Sequence, residues 1–184
     1  ILTKLHLKRI KERVVMKKAK KLLTAVLAGI MLTMFVGCGS KEIVMKDVKA
    51  PNGTFQIQAN EEWETKDFGL DSYLAVFDDD ESDGVLVMQI GKDLGTVTDL
   101  DNLASTIEAS YDMSDVEDVE IEVAGLNNVA AKSCKLNIEG QKGDGYFVYG
   151  ETEGSYYTII YIAPKIGDSE VEYFKNVCAS FKEI

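Results

Sequence analysis

The sequence predicts an α+β fold: a largely antiparallel β-sheet flanked by helices on both faces. Three observations carry this. From Thr54 onward short apolar runs alternate with turn residues, the second half strings three such runs together through glycine-bearing loops, and two segments repeat apolar residues at helical spacing behind capping residues.

Taken in chain order, Phe55 and Ile57 alternate with polar neighbours, and Asn60 to Glu62 turn the chain into Trp63. Tyr73 to Phe77 and Val85 to Ile90 are apolar runs joined by DDDESDG, the pattern of a hairpin. Leu100, Leu103, Ala104, Ile107 and Tyr111 share one helix face behind Thr98 or Asp99 as N-cap. Val119, Ile121 and Val123 alternate with Glu120 and Glu122, which predicts a strand with one wet face. A turn at Asn127-Asn128 then leads into three strands, about Val129 to Ile138, Tyr146 to Gly150 and Tyr156 to Ile162, connected by GQKGDG and ETEG. YYTIIYI is apolar on both faces, so the last of these belongs in the centre of a sheet covered on both sides. The C-terminal helix is marked by a capping box, Ser169-x-x-Glu172, and by a stripe of Val171, Phe174, Cys178 and Phe181.

Upstream of this domain, Lys17, Lys18, Lys20 and Lys21 precede fifteen uncharged residues, Leu22 to Val36. A membrane span needs roughly 20 apolar residues, so the run is short for a span but sufficient for a signal peptide. Its end, Phe35-Val36-Gly37-Cys38, resembles the lipobox of bacterial lipoproteins, with phenylalanine where leucine is usual. The resemblance implies that Cys38 takes a diacylglycerol thioether and becomes the N-terminus once residues 1–37 are removed. Two acyl chains, at ~0.8 kcal/mol per buried methylene, would then hold the body on the outer face of the cytoplasmic membrane. Residues 1–15 carry a second basic cluster, and a start at Met16 would give a signal peptide of normal length. Lys11-Glu12-Arg13 would then be the translation of a purine-rich ribosome-binding sequence. Residues 38–50 are expected to form the lipidated N-terminus and a short tether, and residues 51–184 one domain.

Removal of residues 1–37 leaves 11 basic and 30 acidic residues, a net charge of −19. Such a body is repelled by phosphate backbones, which excludes nucleic acid as a partner and favours a cationic protein, peptide or metal ion. The same removal takes His6 and both arginines, Arg9 and Arg13. Without imidazole, Ser-His-Asp and Cys-His catalysis are excluded, and the commonest transition-metal ligand is missing. The expectation is a non-enzymatic protein without a cofactor.

The pattern from about Gly53 to Phe181 resembles the PsbP/Mog-like fold. The carrying features are a Phe-x-Ile strand leading into Trp63, a middle helix, a meander with paired tyrosines, and a last helix ending Ser180-Phe181. The resemblance implies an α/β/α sandwich and a protein-binding or accessory role, with no shared catalytic motif to carry over.

Four groups of residues are candidates for a site. Asp79-x-Glu81-x-Asp83-Gly84, in the 78–84 loop, imitates the start of a calcium-binding loop, although position twelve is Ile90 rather than glutamate. The alternative is a solvated hairpin tip that keeps a sheet edge from pairing. Cys134 and Cys178 are either a disulfide, which requires Cα atoms within ~7 Å, or two small core residues. Trp63 with Tyr146, Tyr149, Tyr156, Tyr157, Tyr161 and Tyr173 lines either a groove or the core. Glu117, Glu120 and Glu122 are either a hydrolase carboxylate set or a hydrated sheet face.

Overall fold

The computed structural model describes residues 43–138 and 140–184. Cys38 and the segment expected to be a signal peptide lie outside the described residues.

Among the described residues ten strands and two α-helices follow one another. The strands are β1 (Met45–Lys49), β2 (Phe55–Asn60), β3 (Glu64–Lys66), β4 (Tyr73–Phe77), β5 (Gly84–Gly91), β6 (Asp112–Asp118), β7 (Asn127–Ile138), β8 (Gln141–Glu151), β9 (Ser155–Ala163) and β10 (Lys182–Glu183). The helices are α1 (Leu100–Glu108) and α2 (Asp168–Ala179). Seven strands form one antiparallel sheet in the order β3-β4-β5-β9-β8-β7-β6, and β1-β2-β10 form a small second sheet. As the sequence implied, β9 is the central strand of the large sheet, and all nine of its residues are buried.

Alternation along the strands divides the core in two. Val85, Val87, Tyr157, Ile159 and Tyr161 point into one apolar cluster, which Phe55, Ile57 and Ala59 of β2 and Tyr173, Phe174, Val177 and Cys178 of α2 complete. Leu86, Met88, Tyr156, Ile160 and Ile162 point into the other, together with Leu103 and Ile107 of α1. The first cluster is therefore closed by a sheet as well as a helix. The small sheet was not separable in the sequence, because a strand pattern carries no statement of which sheet it joins.

Several elements differ from expectation. Residues 45–49, expected in the tether, form β1 and pair along their whole length with β2. Val119 to Val123 form no ladder; the strand lies earlier, at β6, whose sequence DMSDVED has little apolar periodicity because it is the exposed edge of the sheet. The alternation in 119–123 is nonetheless real, since Ile121 and Val123 are buried and Glu120 and Glu122 exposed. Asn127-Asn128 is a bulge rather than a turn: Asn127 pairs with Glu151 and Ala130 with Tyr149, with Asn128 at φ 52°. β8 begins at Gln141, so most of GQKGDG is strand.

Asp99 caps α1 as expected, accepting a hydrogen bond from the Asn102 amide at 2.8 Å. α2 begins one residue before the expected capping serine. Gly167 occupies its N-cap, and the reciprocal contact comes from Glu170, whose Oε2 accepts from the Gly167 amide at 2.9 Å.

Candidate functional site: an acidic groove beside the sheet edge

A groove lies where β6, β7 and β8 meet the loop before α2. β6 pairs with β7 from Asp112↔Asn137 to Ser114↔Lys135, then resumes at Glu117↔Ser133 with one residue extra. Asp115, at φ 50°, sits in this bulge. An extra residue reverses the face to which later side chains point. Met113, before the bulge, packs on the α1 cluster, whereas Val119, after it, packs on the α2 cluster. The bulge thus moves Glu117 onto the face that carries α2, and Asp115 stands at the switch.

Asp115, Glu117, Ser133, Lys135, Asp144, Tyr146 and Ile166 line a groove of about 240 Å3 on that face. Lys135 donates to Asp144 Oδ1 at 2.6 Å, and Asp144 Oδ2 accepts the Ile166 amide at 3.0 Å. Asp144 is therefore a positioning residue that ties the loop before α2 to the sheet while neutralising the one lysine in the lining. Tyr146 forms the floor, its ring 6.0 Å from that of Phe174. Burial, followed by the negative fields of Asp144, Asp168 and Glu117, raises the Tyr146 hydroxyl above its ordinary pKa. Among the described residues neither Asp115 nor Glu117 makes a salt bridge or a side-chain hydrogen bond. The groove keeps a net negative charge that its own cation does not compensate.

The 78–84 loop is arranged differently from a cation cage. Asp78 turns inward: its Oδ1 accepts the Asp83 amide at 3.1 Å, and its Oδ2 accepts the Ser82 hydroxyl at 2.8 Å. Glu81 swings outward to an ion pair with Lys66 at 2.8 Å. Asp83 points toward the core, where the Tyr161 hydroxyl lies 3.5 Å from its Oδ2. Of the calcium-type set, Glu81 and Asp83 are thus turned apart, and among the described residues no three such side chains converge on a metal position.

Asp83 is instead a partly buried carboxyl. Burial first, then the charges of Asp78 and Glu170, push its pKa up to about 7. For Glu170 burial acts in the same direction, but hydrogen bonds from its own amide, Ser169 and Gly167 outweigh it and hold the carboxylate below its ordinary pKa.

The remaining candidates are core or surface. Cys134 and Cys178 are free thiols in different clusters on opposite faces of the sheet, so the disulfide alternative falls. Burial pushes their pKa values up to about 11 and about 12, which leaves both unreactive as nucleophiles. Trp63 is 8% exposed and packs on Tyr173 with ring centroids 5.1 Å apart. Tyr149, Tyr156, Tyr157, Tyr161 and Tyr173 are all buried, leaving Tyr146 as the groove aromatic. Tyr157 joins a polar network at the far end of the sheet, donating to Glu183 Oε1 at 2.7 Å and accepting from Gln89 at 2.8 Å. That network fastens β10 to the large sheet. Glu120 and Glu122 are exposed on the segment after β6 and do not join Glu117 in the groove, whose lining includes neither. The sequence reading missed Asp115, Asp144, Asp168 and Lys135; a charge-rich edge strand was the local signal for Asp115, and the other three lie on β7, β8 and α2, where no local pattern marks them.

No protein-family model matches the chain, and no curated protein matches it in sequence. Solved structures do match. The Ran-binding protein Mog1p of Saccharomyces cerevisiae superposes with a TM-score of 0.53 at 8% identity, over 77% of this chain and 96% of that one. This chain shares the fold of Mog1p. A crystal structure from Bacteroides thetaiotaomicron VPI-5482 matches with a TM-score of 0.53 at 13% identity, over 76% of this chain and 48% of that one, so the chain spans about half of its length. The cyanobacterial PsbP of Synechocystis sp. PCC 6803 aligns over 82% of this chain and 99% of that one at 11% identity, with a TM-score of 0.43. The expected resemblance therefore holds at the level of fold, through Mog1p.

Proposed function

We propose that this protein is a non-enzymatic binding or accessory module, tethered through acylated Cys38 to the extracytoplasmic face of the cell membrane, where it holds a cationic protein or peptide. The single observation that carries the binding role is the concave acidic groove beneath the β6 bulge, with uncompensated carboxylates around a tyrosine floor. Support comes also from the net charge of −19 and the lack of His and Arg after residue 37. Mog1p, of the same fold, is by its name a binder of another protein. In this reading α1 covers one face of the large sheet and α2 with the small sheet covers the other, as in an α/β/α sandwich.

The tether and the binding role have separate tests. Mass spectrometry of native protein should find Cys38 acylated and N-terminal, and a bare Cys38 still joined to the preceding peptide rejects the anchor. Crosslinking in intact membranes should capture a basic protein whose recovery falls as salt rises, because contacts between exposed charges are screened within a Debye length of ~8 Å at physiological ionic strength. Capture of no basic protein rejects the binding role.

A further inference from the structure

We propose that the β6–β8 groove is the docking site for a lysine- or arginine-bearing extended segment of a partner protein, with one basic side chain laid over Tyr146 between Glu117 and Asp168. The proposal rests on the binding role above and assigns it to a place and a chemistry.

The geometry selects the occupant in three ways. First, the charge is directional. Lys135 is held by Asp144 at 2.6 Å, and Asp144 is committed through its other oxygen to the Ile166 amide, so this pair is internally matched. What remains in the lining is Asp115 and Glu117 of β6, with no further basic residue there, and the negative field of Asp168 acts on Tyr146 from the start of α2. An anionic or neutral guest gains nothing from that field, whereas a cation gains from each carboxylate.

Second, the floor is aromatic. Tyr146 is half-buried, and its ring is braced against Phe174 of α2. A cation above a tyrosine face is attracted by the ring quadrupole, and a long lysine or arginine stem buries its methylenes against the same surface. A small hydrated metal ion would use neither property, and the described carboxylates do not converge on one point.

Third, the groove is small and opens at the edge of a sheet. A space of about 240 Å3 accommodates one or two side chains rather than a folded domain. β6 is the terminal strand of the large sheet, and its exposed charges and bulge discourage uncharged strands from pairing with it. An extended segment bearing the opposite charge is the partner to which that edge is not repellent.

The test uses the whole mature chain, a short fluorescent peptide alternating lysine with glycine, and a control peptide with glutamate in place of lysine. Three variants are compared. Asp115→Asn/Glu117→Gln removes two groove charges while keeping an asparagine where φ is positive, a conformation it tolerates. Tyr146→Leu removes the aromatic face while retaining bulk. Glu64→Gln/Asp71→Asn removes two exposed charges elsewhere and so matches the change in net charge.

The expected result is that the wild type binds the basic peptide and not the acidic one. The groove charge variant should weaken binding about tenfold and Tyr146→Leu about threefold to fivefold, with the distant charge variant within about twofold of wild type. Backbone amide shifts on titration should concentrate at Ser133, Lys135, Tyr146 and Ile166. Equal weakening by the two charge variants, or shifts centred elsewhere, overturns the groove assignment while leaving the binding role in place. No binding of the basic peptide by wild type overturns the groove assignment, and the binding role then falls only if the membrane crosslinking also captures no basic protein.

Discussion

Replacing Asp83 with asparagine should make the protein more stable above neutral pH, although it removes a partly buried native side chain. Asp83 stands at the end of the β4–β5 hairpin with Asp78 and Asp80 from the same loop, Glu170 and Tyr173 from α2, and Tyr161 from β9 around it. None of these is a cation. With its pKa pushed up to about 7 by burial and those charges, the folded chain keeps the Asp83 proton at pH values where the unfolded chain, with an ordinary carboxyl near 3.9, has released it. Folding therefore loses free energy as pH rises from about 4 to about 7, at up to ~1.4 kcal/mol per pH unit, and above 7 the whole deficit is present. A gap of about three units corresponds to a ceiling of ~4 kcal/mol. Asparagine fills the same space without the charge. Urea unfolding followed by Trp63 fluorescence at a series of pH values should show Asp83→Asn gaining on wild type steadily between pH 4 and 7. At pH 8 it should be ahead by ~1 to 4 kcal/mol. The contribution of opposite sign from Glu151, whose pKa is lowered, is common to both proteins and cancels in the difference, whereas Glu170 interacts with Asp83 and its share is part of the effect measured. Parallel curves, or a variant that is less stable at pH 8, would refute the reasoning.

Other expectations follow from single residues. Trp63→Ala should cost ~3 to 5 kcal/mol in denaturant unfolding, because the indole is buried against Tyr173; a loss below ~1 kcal/mol would mean the indole packs against little. Gly84→Ala should cost ~1 to 3 kcal/mol, since a Cβ there would lie 2.2 Å from the ring of Phe77, which is itself buried, and unchanged stability would mean that the ring moves freely. Thiol titration without reductant should find Cys134 and Cys178 both reactive in denaturant and both slow in the native state; their absence from the denatured count would indicate oxidation. Millimolar calcium should leave the melting temperature unchanged, because Asp78, Glu81 and Asp83 are turned in three directions. A rise by the amount RT ln(1 + [L]/Kd) demands would contradict that arrangement.

What was legible in the sequence was whatever burial writes as periodicity. The unbroken apolar run from Tyr156 to Ile162 placed β9 at the centre because both of its faces are covered, and the spacing of Leu103 and Ile107 marked α1 because one face is. β6 left no such trace, since it is a solvated edge on which selection for charge replaces selection for burial. The cap of α2 was misplaced for a related reason. A serine followed three residues later by glutamate has the right pattern, yet the nearby Gly167 and Glu170 satisfy the same backbone groups. The groove was the least legible feature, because it depends on a count of residues rather than on their type. One extra residue at Asp115 carries Glu117 across to the face where Tyr146 and Asp168 stand.

The first turn of α2 shows why a chain so rich in carboxylates uses them in two opposed ways. Asp168 and Glu170 are two positions apart, so they project to different sides of the helix. Asp168 is exposed to water, and its negative field acts on Tyr146. Glu170 turns inward, taking hydrogen bonds from Gly167 and Ser169, and places its charge beside Asp83. Both sit at the positive end of the helix dipole, which favours negative charge there. The exposed carboxylate costs the fold little. Asp83 costs more, because burial first and then the charges of Asp78 and Glu170 disfavour its ionised form. The exposed charge of Asp168 and the charge that limits stability therefore meet at one helix end, and substitution of Asp83 should change the second while leaving the first in place.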